Sequence, residues 1–206
     1  MDFLFDYTLR NVLLGTLLLG LGSGFVGTFV LLRKQSLVGD AVSHAALPGI
    51  VIAFLITGTK SLLFLLIGAG ISGLLGMLCI YAISNTTKIK TDGAQGIILG
   101  VFLGMGFLLL THVQKLPNAA KAGLDKFIFG QAATIMQQDV IMIFFVEFVI
   151  ILCIFLFWKE LKVSTFDPDF SAAIGFSPKK IELILTAAIV ASIVIGIQAV
   201  GVILMS

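Results

Sequence analysis

Six stretches with almost no charged residues dictate what this chain can become. They cover residues 12–32, 41–59, 61–87, 93–111, 140–158 and 181–206. An α-helix needs roughly 20 mostly apolar residues to cross a bilayer, and each stretch reaches about that length. No ten-residue segment alternates polar and apolar, which argues against a transmembrane β-barrel. Charged residues make up 12% of the chain, against about 25% in a soluble domain. The fold expected is all-α: one polytopic bundle of membrane-spanning helices, forming a single domain over residues 1–206.

The remaining composition narrows the function classes. A net charge of +2, spread along the chain, gives no footprint for nucleic acid. Cys79 and Cys153 lie inside apolar runs and read as small buried hydrophobes, not as a disulfide or a zinc site. The first run is too long for a secretory signal, and basic residues follow it. No phosphate-binding loop, nucleophile elbow, H-E-x-x-H or C-x-x-C occurs. The chain therefore reads as a non-enzyme with no phosphate loop of its own.

Lysines and arginines orient the runs. Eight of the 13 flank one side: Arg33, Lys34, Lys88, Lys90, Lys159, Lys162, Lys179 and Lys180. The positive-inside rule makes that side cytoplasmic. Residues 2–10 then lie outside, where Phe3, Leu4, Phe5 and Tyr7 among charges fit a short interfacial helix. The sixth run has no polar flank before Ser206.

Polar residues inside such runs are costly and mark candidate sites. Asp40 and His44 are four apart at the start of the second run, so a helix puts them on one face a turn apart. A carboxylate and an imidazole so placed can share a divalent cation. Helix capping by Asp40 and simple packing of His44 are the competing readings. Pro48-Gly49 follows and is expected to kink or break the helix, as beside an ion pathway. Glu147 in the fifth run should face the interior, lining a pore or hydrogen-bonding another helix. Gln198 is a second candidate pore residue, with helix packing the plainer role. His112 reads as an ordinary boundary residue, and Asp125 and Asp139 as solvated flanks of the outer loop. Gly20 and Gly24, and the tandem Gly96, Gly100 and Gly104, have the four-residue spacing that lets helices pack closely.

Between the fifth and sixth runs, Asp167 suits an N-cap, Pro168 the first helical position, Asp169 the first turn and Gly175 the stop. A short cytoplasmic helix is expected at about 167–175. It either rests on lipid or, through Phe170, Ile174 and Phe176, docks a cytoplasmic partner.

Leu32-Arg33-Lys34-Gln35-Ser36-Leu37-Val38-Gly39-Asp40-Ala41-Val42-Ser43-His44-Ala45-Ala46-Leu47-Pro48-Gly49 is similar to the signature of bacterial ABC permeases that import manganese, zinc or iron. Residues 88–97, 124–130, 167–175 and 198–204 resemble further segments of that family in register, so the likeness spans essentially the whole chain. It implies a type II ABC importer permease-like bundle in the bacterial plasma membrane. Members usually have about eight spans, so the six seen here are expected to be a truncated set.

The resemblance further implies a second permease copy, cytoplasmic ATP-binding subunits that carry out the ATP hydrolysis, and an extracytoplasmic metal-binding protein. It places the metal path on Asp40 and His44, and ATPase coupling on Asp169, Phe170, Ile174 and Gly175. No cofactor is held permanently; the cation is cargo. Manganese is favoured by the Leu47-Pro48-Gly49 ending, with zinc and iron as alternatives. The rival functions are an ion-coupled secondary metal transporter, a non-transporting membrane assembly subunit, and an importer of larger chelates.

Overall fold

The computed structural model describes residues 7–58, 61–115, 130 and 135–202. Among them regular structure is helical. In order the helices are α1 (Tyr7–Leu32), α2 (Val38–Thr57), α3 (Leu62–Thr86), α4 (Thr91–Gln114), α5 (Gln137–Leu156), α6 (Trp158–Phe166), α7 (Pro168–Ala173) and α8 (Pro178–Val200). Six of them are long and apolar enough to cross a membrane: α1 to α5 and α8. Tyr7–Arg10 form the first turn of α1, so the segment expected as a separate helix at 2–10 merges with the first span from Tyr7 onward. Residues 1–6 lie outside the described residues, as does the outer-loop segment 124–129 that carries Asp125.

Contacts gather in two compact units. One contains residues 1–35 and 132–192; the other contains residues 36–131 and 193–206. The first boundary falls in the connection after α1, where Lys34 adopts a left-handed backbone at φ 56°. The second, at residues 131–132, lies outside the described residues, and the third falls inside α8.

In the first unit α1 and α5 lie side by side and run the same way. Gly15 faces Ile135 and Ile143, and Gly22 faces Glu147. Phe25 meets Phe155 at 5.8 Å between ring centroids, and Phe29 meets Trp158 at 5.7 Å. The buried face of α1 is Asn11, Gly15, Leu19, Gly22, Val26 and Phe29, a three-and-four spacing that marks one helix stripe.

The second unit is built on α2, whose residues from Ala41 to Val51 are buried apart from a part-exposed His44. Its small side chains let α3 come unusually close. A Cβ at Gly49 would strike the Gly68 carbonyl and the Ser72 side chain, and one at Gly68 would lie 2.6 Å from the Gly49 oxygen. Further along, Gly76 fits against Ala45, and Gly106 of α4 accommodates Leu47. Without a hydrophobic drive between helices in lipid, such backbone proximity is a main source of cohesion.

Two expectations fail here. Pro48 does not break α2, which stays one helix from Val38 to Thr57. Proline leaves the carbonyl four residues back without its donor. The carbonyl so freed is that of His44; the next one, Ala45, takes a hydrogen bond from Ser72 Oγ at 2.6 Å, which ties α3 to α2 beside the proline. The spaced glycines also differ from expectation. Among the described residues, nothing lies within 4 Å of a Cβ added at Gly20, Gly24, Gly96, Gly100 or Gly104. The close helix approaches use other glycines. Cys79 is likewise exposed on α3 and Cys153 half-buried on α5. In a membrane the outer surface of a helix is as apolar as its core, so burial does not follow from hydrophobicity.

These contacts separate two kinds of glycine by experiment. Gly49→Ala should lower stability in detergent by roughly 1–3 kcal/mol, the usual cost of overpacking. Gly100→Ala should leave the melting temperature unchanged or slightly higher, because alanine favours the helix. Thermal unfolding followed by size-exclusion chromatography measures both, and equal effects would contradict the packing described.

Candidate functional site

The signature segment folds as a tight connection followed by the first turns of α2. Leu37 occupies the N-cap position without a side-chain cap. Asp40 therefore lies in the first turn and is not the cap, where its charge favours the helix N-terminus. One turn on, His44 Nε2 lies 3.0 Å from Asp40 Oδ1. The helix delivers the shared face that the spacing predicts. Side-chain exposure is 32% for Asp40 and 14% for His44, so the pair is reachable from outside its unit while most of α2 is closed.

The pair's chemistry follows from its free atoms. His44 Nδ1 is buried with no hydrogen-bond partner. With Nε2 directed at a carboxylate, a neutral imidazole keeps its lone pair on Nδ1. A divalent cation can displace the Asp40–His44 bond and take an oxygen and a nitrogen, or meet the imidazole while Asp40 orients it. Among the described residues no cluster of three or more histidine, cysteine, aspartate or glutamate side chains could hold a metal. A fuller coordination shell needs donors beyond this pair.

Glu147 lies elsewhere, in the first unit. It is buried, and its Oε1 accepts a hydrogen bond from Ser192 Oγ of α8 at 3.3 Å. Its carboxyl rests directly on Gly22 of α1. The structure thus gives it the interhelical bond that was one of its two readings. Sequence reasoning missed both partners, since nothing local to Glu147 marks a glycine and a serine from distant helices. Gln198 is half-buried in the part of α8 that belongs to the second unit. Asp139 is not merely a solvated flank: its Oδ2 accepts from the Met136 backbone at 2.9 Å and so caps α5. His112 is exposed near the end of α4.

The short helix α7 is built as its sequence dictates. Asp167 Oδ1 accepts from the Phe170 amide at 2.9 Å, and Pro168 takes the first helical position. Gly175 closes it at φ 93°, a left-handed backbone that favours glycine. Phe166, Phe170 and Ile174 are exposed by 67%, 54% and 48%. Phe170 and Ile174 leave apolar side chains exposed on α7 and at its C-cap, beside Asp169; Phe166 ends α6 before the non-helical Asp167, and Phe176 is half-buried.

Comparison with known proteins gives a consistent picture. The ABC 3 transport family matches residues 5–206. The chain is 70% identical to the zinc transport system membrane protein TroC of Treponema pallidum (strain Nichols), over 98% of this chain and 67% of that protein. It is 50% identical to the manganese transport system membrane protein MntC of Bacillus subtilis (strain 168), over 95% of this chain and 45% of that protein. It thus spans about two thirds of one relative and under half of the other. Among solved structures it is similar to a chain of PsaBC from Streptococcus pneumoniae in complex with Fab. The TM-score is 0.82 at 32% identity, covering 99% of this chain and 70% of that one.

The carboxyl in the first unit gives a sharp test. Gly22→Ala should destabilise the protein, because its Cβ would collide with the Glu147 carboxyl. In a Glu147→Ala background the same change should be nearly neutral. The coupling measured by a thermal-stability double-mutant cycle should reach roughly 0.5–3 kcal/mol, the range for residues in contact.

Proposed function

This chain belongs to the ABC 3 transport family, and from that premise we propose that it is the permease subunit of an ATP-driven importer of divalent transition-metal cations. It is a multi-pass plasma-membrane protein, and its part is transport, not catalysis. The observation that carries the reading is similarity over nearly the whole chain to membrane proteins of zinc and manganese transport systems. The cation is cargo, manganese or zinc, with iron a further member of the same class.

ATP is hydrolysed on separate cytoplasmic subunits, an extracytoplasmic binding protein delivers the cation, and a second permease copy completes the pathway. Asp40 and His44 make the transient coordination site. Their bond at 3.0 Å supports this, since it already holds a hard oxygen and an imidazole nitrogen together. Two donors from one chain bind weakly, which suits a conduction path that must also release its ion. Glu147 and Gln198 contribute polar groups within the span region. The ATP-binding subunits dock on α7, where Asp169 lies in the first turn, Gly175 follows the C-cap, and Phe170 and Ile174 offer apolar contacts. ATP-driven movement there rearranges the spanning helices and opens the inner side.

Uptake of radioactive manganese and zinc by cells carrying the complete transporter tests the site. Asp40→Asn and His44→Ala should each lower uptake about tenfold or more, the scale on which metal-site changes act. The amount of permease in the membrane should stay at the wild-type level. Wild-type uptake by both variants, with the delivery protein saturated, would overturn the metal-site assignment.

A further inference from the structure

Arg33 directly follows α1, and its guanidinium turns back into the first unit. Its Nε donates to Thr165 Oγ1 at 3.3 Å. The Glu182 carboxylate, near the start of α8, also acts on its charge. Burial lowers the guanidinium pKa, and Glu182 opposes that effect. Nη2 is buried with no hydrogen-bond partner. Confining a charge with five donors while leaving one buried and unfilled is costly. A lysine would satisfy a simple charge rule by reaching out to water.

The position of Thr165 gives this contact its meaning. It is the next-to-last residue of α6, and Asp167, which caps α7, follows two positions later. The other end of α6 is tied to α1 by rings. Trp158 meets Phe29 edge-on at 5.7 Å and stacks on Phe155 at 6.3 Å, and Phe155 meets Phe25. The segment that carries α7 is therefore held to α1 at both ends, by aromatic packing at its start and by Arg33 at its finish.

We propose that Arg33 is a positioning residue of the coupling machinery, transmitting displacement of α7 to α1 through Thr165. The proposal rests on the reading that α7 receives the ATP-binding subunits. In this proposal a shift of α6 relative to α1 brings an acceptor to the unfilled Nη2 donor, which would give the contact a second arrangement. Two discrete arrangements of one contact are what mechanical coupling requires.

The test uses the complete transporter reconstituted in liposomes, with ATP hydrolysis and manganese uptake measured on one preparation. Arg33→Gln should lower manganese imported per ATP by about three- to thirtyfold, the range seen for residues that modulate coupling. ATP hydrolysis should stay near wild type. Arg33→Lys keeps the positive charge that sets topology but loses the planar donor at Nε, and should show most of the same loss. Thr165→Val should shift the ratio in the same direction by less, and serves if Arg33→Gln fails to assemble.

An unchanged ratio in Arg33→Lys and Thr165→Val would overturn the proposal, as would a proportional fall of both activities. Those results would leave Arg33 as a plain topology anchor. Wild-type uptake that needs no ATP would instead overturn the transport reading, and this proposal with it.

Discussion

Water does not reach the backbone in the hydrocarbon of a bilayer, so every peptide group there must find its partner within the protein. That requirement shapes this chain more than any side chain does. It forces each apolar run into a helix, and it makes polar side chains turn inward on their own helices. Thr16, Ser23, Thr28, Ser43, Thr57, Thr86 and Thr111 each donate to the carbonyl four residues earlier. Pro48 is the test case. Its ring removes the donor to the His44 carbonyl in the middle of α2, yet the helix continues, and Ser72 of α3 bonds the next carbonyl, Ala45. That contact needs α3 very close, and Gly49 and Gly68 supply the room. Backbone satisfaction and close packing thus depend on one another in the second unit.

The same requirement explains what was legible in the sequence. The six spans were legible because length and absence of charge determine them, and their ends shift by only a few residues in the structure. Asp40 and His44 were legible as neighbours because helical periodicity alone places them. The short helix α7 was legible because Asp167, Pro168 and Gly175 each act through purely local chemistry. What failed was everything that depends on which helix lies alongside. Gly96, Gly100 and Gly104 have the spacing of a packing motif, while the glycines that pack closely are Gly22, Gly49, Gly68, Gly76 and Gly106. Spacing along one helix does not say which face meets a neighbour.

Buried polar groups show how far apart structural and functional roles can lie. Glu147 is among the most buried side chains, and it bonds Ser192 and rests on Gly22. Asp40 and His44 are less buried and bond only locally. A carboxyl enclosed between helices acts first as a tie, because its partners come from α1 and α8. A carboxylate on the first turn of a helix with an open side can be reached by an ion. Depth of burial therefore separates these residues better than residue type, which the sequence alone supplies.

The Asp40–His44 bond also bears on how tightly such a site holds its cargo. A cation that takes both groups must first displace their 3.0 Å contact. Hydrogen bonds to a charged group contribute roughly 1.5–3 kcal/mol, so that displacement weakens binding by about ten- to a hundredfold. Among the described residues no third donor of the usual metal-ligating types joins them. In a storage protein both features would be defects. On the proposed reading, both would keep an ion from lodging where it must pass.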